Sequence, residues 1–515
     1  IIYGNISCIR NQLVGTLVID RYRRKIMDFC NIEIVKYGNR FFMIDKTVCK
    51  PIFISQRVFE VIGEYKSGKT FSELQQKYGE KFLNSLNGEL ERLKRKQILT
   101  ERKIKFSTEA KKAIDEYRNQ PIEILEGVLM VSQNCNLACR YCYGGESGTF
   151  NQKGFMSEEI ADKCMDFILQ NAGEQSFQKI IFFGGEPLLN YKVIKHTIER
   201  WNSVKDLYPN KNIYFGLTTN GVLLNEEIVR FFKKNNVGVT VSVDGPPEIH
   251  NYNRPFRDGS KSFDATMAGI ELLKKYDIPI SVRTTYTKQT DIEQLYDFLE
   301  KENFDIHNIA MVDYPLVCPK EDYQIDLSTY KKLVSKQNAV IQKGIMDVKH
   351  KEKDTSNAKQ LSIAYQRANA SKRKFPFLCG AGNWLFSFGM DGKIYPCNRV
   401  VGDERFCIGN LSEGIVKEKM VDIYRHFLEA SKKCDDCWVV GLCRGRCFHQ
   451  KSFESYGCTE LPEELCEVYR DNYAESMVFS SELRKNMKSD NSEMKDALER
   501  FEASNMMKDI YGIGE

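Results

Sequence analysis

The chain has 515 residues, 42% hydrophobic and 28% charged, and its 75 basic and 70 acidic residues leave a formal net charge of +5. This is the balance of a globular protein with apolar material for more than one core. So small a bias does not favour a nucleic-acid partner, and no apolar run of about 18 residues predicts a transmembrane helix. Because the first residues do not form a secretory signal pattern, we expect a cytoplasmic protein without a membrane partner.

Residues 33–105 have the pattern of a small separate module, which follows an N-terminal extension at 1–32. The sequence IEIVKYGNRFFMID predicts two short strands around a Tyr-Gly-Asn turn. Three helical stretches follow, and Ser55 and Thr70 are residues that commonly begin helices. Strands followed by three short helices predict a winged-helix-like module, for which DNA binding or plain packing is the ordinary interpretation. The charged residues 106–125 predict a connecting segment.

Strand-like and helix-like segments alternate from residue 126 to residue 370. The six strand-like runs are GVLMVS, KIIFFGG, NIYFGLTTNG, GVTVSVDG, PISVRTTYT and HNIAMVDYP. Because each step between parallel strands needs a crossover, they predict an α/β fold with a partial (β/α)6 barrel and a site at the carboxyl ends of its strands. Residues 371–470 are rich in Cys and Gly and are better held by metal than by a large core. The charged residues 471–515 predict a helical tail.

The 17 cysteines are numerous for a reducing compartment, and they fall into groups. Three lie at 135–142 as Cys-x3-Cys-x2-Cys after the first strand of the repeat, and nine lie at 379–466. Short fixed spacings there indicate metal rather than disulfides. A four-iron cubane usually takes four thiolates, so three ligands on one loop leave one iron open for a substrate. A zinc knuckle is the alternative, but its usual spacing is Cys-x2-Cys.

The segment CNLACRYCYG resembles the cluster-binding loop of the radical S-adenosylmethionine (SAM) superfamily. In that family the open iron binds the amino and carboxylate groups of SAM, and an electron from the cluster cleaves SAM to a 5′-deoxyadenosyl radical. The resemblance implies a [4Fe-4S] cluster on Cys135, Cys139 and Cys142. Later segments resemble SAM-lining motifs: FFGGEP, TTNG, SVDG and SVRTTYT. The residues that they would place around SAM, together with the aromatic residue of the loop, are Tyr141, Gly184, Gly185, Glu186, Thr219, Asn220, Ser242, Asp244 and Arg283.

The downstream cysteines resemble the seven-cysteine SPASM extension of radical SAM enzymes that act on peptides and proteins. The resemblance implies one auxiliary four-iron cluster on Cys434, Cys437, Cys443 and Cys466. It implies another on Cys379, Cys397 and Cys447. This second set lacks a fourth ligand, so either Cys407 supplies it or one iron stays open for a substrate thiolate, while Cys458 competes with Cys466. Three [4Fe-4S] clusters and SAM are therefore the expected cofactors.

Residues 33–105 resemble the winged-helix element that binds leader peptides in peptide-maturation systems. With the radical SAM core and the SPASM extension, they resemble maturases of ribosomally made peptides. The segment CGAGNWLFSFGMDGKIYPCNRVVGDERF resembles those that form cysteine thioethers in sactipeptides and ranthipeptides. The implied partners are a cysteine-containing precursor peptide, with its leader on the N-terminal module, and an external flavodoxin- or ferredoxin-type electron donor. The alternatives are an anaerobic sulfatase-maturing enzyme, a carbon–carbon crosslinking maturase and a non-catalytic iron–sulfur peptide-binding protein.

Overall fold

The chain divides into two units, Ile1–Lys103 and Ile104–Glu515. The computed structural model describes residues 31–46, 51–100, 105–144, 153–174, 177–304, 309–311, 328–336, 339, 379–449 and 463–487. Among the helices in these ranges, none combines the length and apolar character needed to cross a membrane.

The first unit has an antiparallel sheet followed by three helices. Its elements are β1 (Ile32–Tyr37), β2 (Arg40–Asp45), β3 (Pro51–Phe53), α1 (Gln56–Lys66), α2 (Phe71–Tyr78) and α3 (Glu80–Arg95). Ser55 caps α1, and Thr70 forms a capping box with Glu73 at the start of α2, as the sequence predicts. The sequence predicts two strands, and the structure adds β3 at the edge of the sheet. Three residues are too short a run for a period-two pattern to show.

The first and last residues of this unit that the structure describes meet at a buried carboxylate. Asp45 accepts hydrogen bonds from Asn31 Nδ2 at 2.9 Å and from Thr100 N at 2.6 Å. The apolar face of α3 completes the core with Leu83, Leu86, Leu90 and Leu93. These leucines recur every three or four residues, which places them on one side of the helix. The module therefore has a hydrophobic core of its own.

The second unit begins with a helix that the sequence does not predict. Residues 106–125 are expected to be a connecting segment, but α4 (Phe106–Asn119) buries an apolar stripe against the helix at Lys417–Ala430. The Tyr117 ring lies 5.3 Å from that of Tyr424, and its hydroxyl donates to Gly382 O at 2.8 Å. The many charges around this stripe concealed its helical period.

Six parallel strands follow in the sheet order in which they occur along the chain, as predicted. They are β4 (Glu126–Ser132), β5 (Phe177–Gly184), β6 (Asn212–Thr219), β7 (Gly238–Ser242), β8 (Ile280–Tyr286) and β9 (Ile309–Met311). The helices between β4 and β9 are α5 (Glu158–Gln170), α6 (Tyr191–Val204), α7 (Glu226–Lys234), α8 (Pro247–Asn253), α9 (Phe263–Lys275) and α10 (Ile292–Lys301). The α/β class with its (β/α)6 order is confirmed.

The cysteine-rich region extends this sheet beyond β4. Its elements are β10 (Leu385–Phe388), β11 (Lys393–Tyr395), β12 (Gly409–Asn410), β13 (Gly414–Ile415), α11 (Lys417–Ala430), α12 (Val440–Cys443) and α13 (Glu463–Met487). Strand β10 pairs in parallel with β4, and the later strands continue antiparallel to make a ten-stranded sheet. The sequence predicts a region held mainly by metal, yet the fully buried Phe386 and Phe388 also join it to the barrel core.

Candidate active site

A cavity of about 260 Å³ lies at the carboxyl ends of strands β4 to β8, and the predicted cluster ligands Cys135, Cys139 and Cys142 line it. The middle of the loop that carries these cysteines, residues 135–142, is paired with the end of α8 and the residues that follow it. Its bonds to that segment include Ala138 N to Pro255 O at 2.8 Å. Backbone pairing therefore fixes the ligand loop to the barrel.

Glycine is required where the end of β5 meets the end of β4 and the residues that lead into the ligand loop. Gly185 N donates to Ser132 O at 2.7 Å. A Cβ on Gly184, whose φ is +140°, would lie 1.8 Å from Ser132 O, and a Cβ on Gly185 would lie 2.4 Å from Asn134 O. The resemblance places these glycines around SAM. The structure shows that the approach which excludes a side chain is to the chain's own loop.

Glu186 joins the ends of β5 and β6. Its buried carboxylate accepts from Thr219 Oγ1 at 2.7 Å, from Asn220 N at 2.7 Å and from Leu188 N at 3.0 Å. Burial raises the pKa of Glu186 to about 7, although these three donors oppose the shift. Asn220 in turn donates to Asn136 Oδ1 at 2.7 Å, so the chain of contacts reaches the ligand loop.

Asp244 lies behind the wall of the cavity. It is fully buried and accepts from the Tyr141 hydroxyl at 2.6 Å and from Thr285 N at 3.0 Å. Arg254 Nε pairs with the same carboxylate at 3.0 Å. The Asp244 carboxylate therefore already binds three groups of the protein, whereas Ser242 lines the cavity itself. Arg254 is not among the residues predicted from the sequence, where its one signal is the run NRPFR that begins at the last residue of α8.

Two arginines besides Arg254 line the same cavity. Arg283 projects from β8 as predicted, while Asn398 and Arg399 reach it from the cysteine-rich region. The Arg399 guanidinium lies 5.2 Å from the Tyr143 ring centre, and Asn398 Nδ2 donates to the Tyr143 hydroxyl at 3.4 Å. Burial lowers the pKa of Arg283, and the charge of Arg399 adds to this. Two guanidiniums at one end of a cavity suit a carboxylate or another anion.

The cavity fits the cofactors that the sequence predicts. The three cysteine side chains lie close together, since their charges as thiolates would interact with one another: Cys135, Cys139 and Cys142. Three converging soft thiolates are the donor set of an iron–sulfur cluster. The polar lining beside them provides donors and acceptors for the amino, carboxylate and ribose groups of SAM. Eight of the nine SAM-site residues predicted from the sequence line this cavity, and Asp244 is the exception: Tyr141, Gly184, Gly185, Glu186, Thr219, Asn220, Ser242 and Arg283.

The downstream cysteines of each predicted set lie near enough to one another for their charges to interact. The charge of the Cys397 thiol would interact with those of Cys379 and Cys447. The second group brings Cys443 together with Cys434, Cys437 and Cys466. These placements allow the ligand sets of two auxiliary clusters.

Cys407 has a different environment from these groups. Its Sγ lies 3.5 Å from Gly409 O. As a thiolate, Cys407 would interact electrostatically with Lys393 and Tyr395, and it would raise the pKa of both. These contacts give no support to its predicted role as a fourth ligand beside Cys379. The competing candidate Cys458 lies outside the described residues.

Comparison with known proteins agrees with this geometry. A model of the Radical SAM superfamily matches residues 129–301. An uncharacterized protein of Methanocaldococcus jannaschii is 32% identical over 213 residues, which cover 41% of this chain and 70% of that protein. The chain belongs to the radical SAM superfamily. It is therefore an enzyme, and its family implies one [4Fe-4S] cluster and SAM as cofactors.

Longer matches to this radical SAM protein include a cysteine-type anaerobic sulfatase-maturating enzyme of Clostridium perfringens. It is 28% identical over 370 residues, which cover 68% of this chain and 95% of that enzyme. The solved structure of native anSMEcpe with bound AdoMet and Cp18Cys peptide has a TM-score of 0.57 at 23% identity, covering 71% of this chain and all of that one. At this identity, the likeness supports the fold.

Proposed function

We propose that this radical SAM enzyme matures a ribosomally made peptide by joining a cysteine sulfur to a carbon atom. The observation that carries the proposal is the junction of two cysteine groups at one cavity. Asn398 and Arg399 line the cavity beside the first group, and they directly follow Cys397 of an auxiliary group. A peptide in this cavity would therefore meet both the radical site and a second metal centre.

The reaction removes two electrons from the peptide. Cys135, Cys139 and Cys142 would hold the cluster at which SAM, when bound, would supply a radical able to take a hydrogen atom from a peptide carbon. Forming a carbon–sulfur bond from C–H and S–H then releases the thiol proton and one further electron, so an electron acceptor must be close. The residues that would hold this acceptor, a four-iron cluster, are Cys379, Cys397 and Cys447. The cavity's own side chains bind and orient: Arg283 and Arg399 offer cations to anionic groups of SAM or peptide.

The N-terminal unit supports a peptide with a leader. The match to the sulfatase-maturating enzyme covers 95% of that enzyme but 68% of this chain, so this protein has additional material. The first unit has a three-stranded antiparallel sheet followed by three helices, and β1 and β3 lie at the edges of that sheet. An edge strand can pair with an extended peptide through backbone hydrogen bonds. Helix α3 carries both signs of charge, which does not favour DNA.

A sulfatase-maturing activity is the second candidate. It is favoured by the 28% identity to a relative whose name states that activity over nearly its whole length. That reaction also needs a peptide cysteine, a radical and an electron acceptor. It differs in its product, which is an aldehyde at the former cysteine instead of a crosslink. The N-terminal unit, which a sulfatase-maturing enzyme would not need, favours the crosslinking alternative.

The test is anaerobic incubation of the reconstituted enzyme with SAM, a reductant and the cognate cysteine-containing peptide, followed by mass spectrometry. A thioether gives loss of two hydrogens per link and protects that cysteine from alkylation. Loss of two hydrogens with every cysteine still open to alkylation would identify carbon–carbon linkage. An aldehyde in place of a cysteine would establish the sulfatase-type reaction. A peptide with its cysteines replaced by alanine is the matched control and should remain unmodified.

A further inference from the structure

In the part of the chain that the structure describes, the ligand loop is a single layer between the cluster site and solvent. Leu137, Cys139 and Tyr141 line the cavity, whereas the alternating residues Ala138 and Arg140 are exposed. Exposure therefore alternates from residue 137 to residue 141, where the chain passes from a bridge at Leu137 into a turn at Arg140. The outer side of the loop is therefore one backbone away from the thiolate that would hold the cluster.

This outer side is basic and partly aromatic. Arg140 stacks on the exposed ring of Tyr252 at 4.6 Å and donates from Nε to Tyr252 O at 2.8 Å. Arg257 is exposed and donates to Cys135 O at 2.7 Å, and Lys261 is exposed on the same turn. The turn carries one exposed carboxylate, Asp258. We call the surface formed by Ala138, Arg140, Tyr252, Arg257 and Lys261 the basic face.

We propose that the basic face is the docking surface for an acidic protein that carries one electron at a time. Reductive cleavage of SAM uses one electron. In each turnover that does not return this electron to the enzyme, a donor from outside must supply another. A carrier on the basic face would lie one chain layer from the cluster and would leave the cavity on the other side of the loop open. Complementary charge steers such encounters and raises their rate. The inference rests on superfamily membership, and it holds whichever bond the enzyme forms in its peptide.

Variants that place a positive, neutral or negative side chain at residue 138 test this surface without removing a contact. The bond of Ala138 to Pro255 uses its backbone N–H, so its side chain is free to be changed to Lys, Gln or Glu. The reconstituted variants are mixed anaerobically with purified flavodoxin hydroquinone, and bleaching of the cluster absorbance is followed by stopped flow. At low salt we expect the rate to fall in the order Lys, Gln, Glu, with about tenfold between the ends. High salt should bring the three rates together.

Two controls separate docking from damage to the site. Photoreduced 5-deazariboflavin is an uncharged donor, and it should reduce all three variants at one rate. Lys274→Glu alters a half-exposed cation at the last turn of α9, away from the ligand loop, and should leave the flavodoxin rate unchanged. If Ala138→Glu does not hold its cluster, the Lys and Gln variants carry the comparison. Equal rates from flavodoxin across the series, or an equal loss in Lys274→Glu, would overturn the proposal. Peptide modification driven by 5-deazariboflavin tests the proposed function separately.

Discussion

Arg254 Nη1 lies 3.9 Å from Cys139 Sγ, while its Nε pairs with Asp244 at 3.0 Å. Both charged side chains are buried, and Cys139 is one of the three thiols of the cluster site. Hydrogen bonds to cluster sulfurs and nearby charge set the reduction potential of an iron–sulfur centre. Arg254 is thus placed to favour the more negative, reduced state of the cluster. It acts through the ligand, as a positioning residue.

Replacing Arg254 with Gln should therefore make the cluster harder to reduce. The expected result is a more negative midpoint potential in an EPR-monitored titration of the reconstituted protein without SAM. Because the single change leaves Asp244 buried without its cation, the double variant Arg254→Gln/Asp244→Asn keeps the site neutral and separates charge from damage. Arg257→Gln is the matched control, since Arg257 contacts the carbonyl oxygen of Cys135 and not a sulfur. A potential that does not move in the double variant would contradict this role.

Iron content should distinguish the cysteine groups. With three cubanes the reconstituted protein should bind about twelve irons per chain. Cys447→Ala removes a member of the Cys379 group and should lower that figure by up to four irons. Cys407→Ala should leave it unchanged, because the contacts of Cys407 are with Gly409, Lys393 and Tyr395. Equal losses in both variants would mean that Cys407 ligates after all, and zinc downstream in place of iron would overturn the auxiliary clusters.

The radical step should depend on the first group alone. Replacing Cys135, Cys139 and Cys142 with Ala should abolish formation of 5′-deoxyadenosine from SAM under dithionite, since the site that binds SAM is lost. Cys164→Ala is the control, because Cys164 is buried in α5 away from these groups and its loss leaves only a small cavity. Chromatography of the quenched reaction measures the product. Continued 5′-deoxyadenosine formation by the triple variant would refute the assignment of the cluster ligands.

Much of the site was predictable because its signals are local. The Cys-x3-Cys-x2-Cys spacing and the six strand-like runs each lie within a few residues. What was missed depends on partners distant in the chain. Strand β10 pairs with β4 across more than 250 residues, and Arg399 reaches the cavity only through that pairing. Arg254 has no motif of its own, and its role becomes visible only when Asp244 and Cys139 are seen beside it.

The buried carboxyl of Glu186 should make stability depend on pH. Burial raises its pKa from 4.5 to about 7 in the folded chain, so the folded state holds the proton more tightly than the unfolded state does. Its contribution to stability is therefore fully present below about pH 4.5 and is lost as the pH rises through 7, by about 3 kcal/mol in all. Glu186→Gln should remove this dependence. The melting temperature of the protein without SAM, compared with that of the variant from pH 5 to pH 8, measures it. A difference that stays constant over this range would contradict the raised pKa.

Removing the N-terminal unit should separate peptide binding from radical chemistry. Ile1–Lys103 is a unit with its own core, closed by the contacts of Asp45 with Asn31 and Thr100. A chain that begins at Ile104 should still convert SAM to 5′-deoxyadenosine without peptide, because the described residues of the cavity all belong to the second unit. Its affinity for the precursor peptide, measured by fluorescence anisotropy, should fall by tenfold or more, which is about 1.4 kcal/mol. A leaderless peptide is the matched control, since the full and shortened chains should bind it alike. Unchanged affinity of the shortened chain for the full precursor would show that the module does not bind the leader.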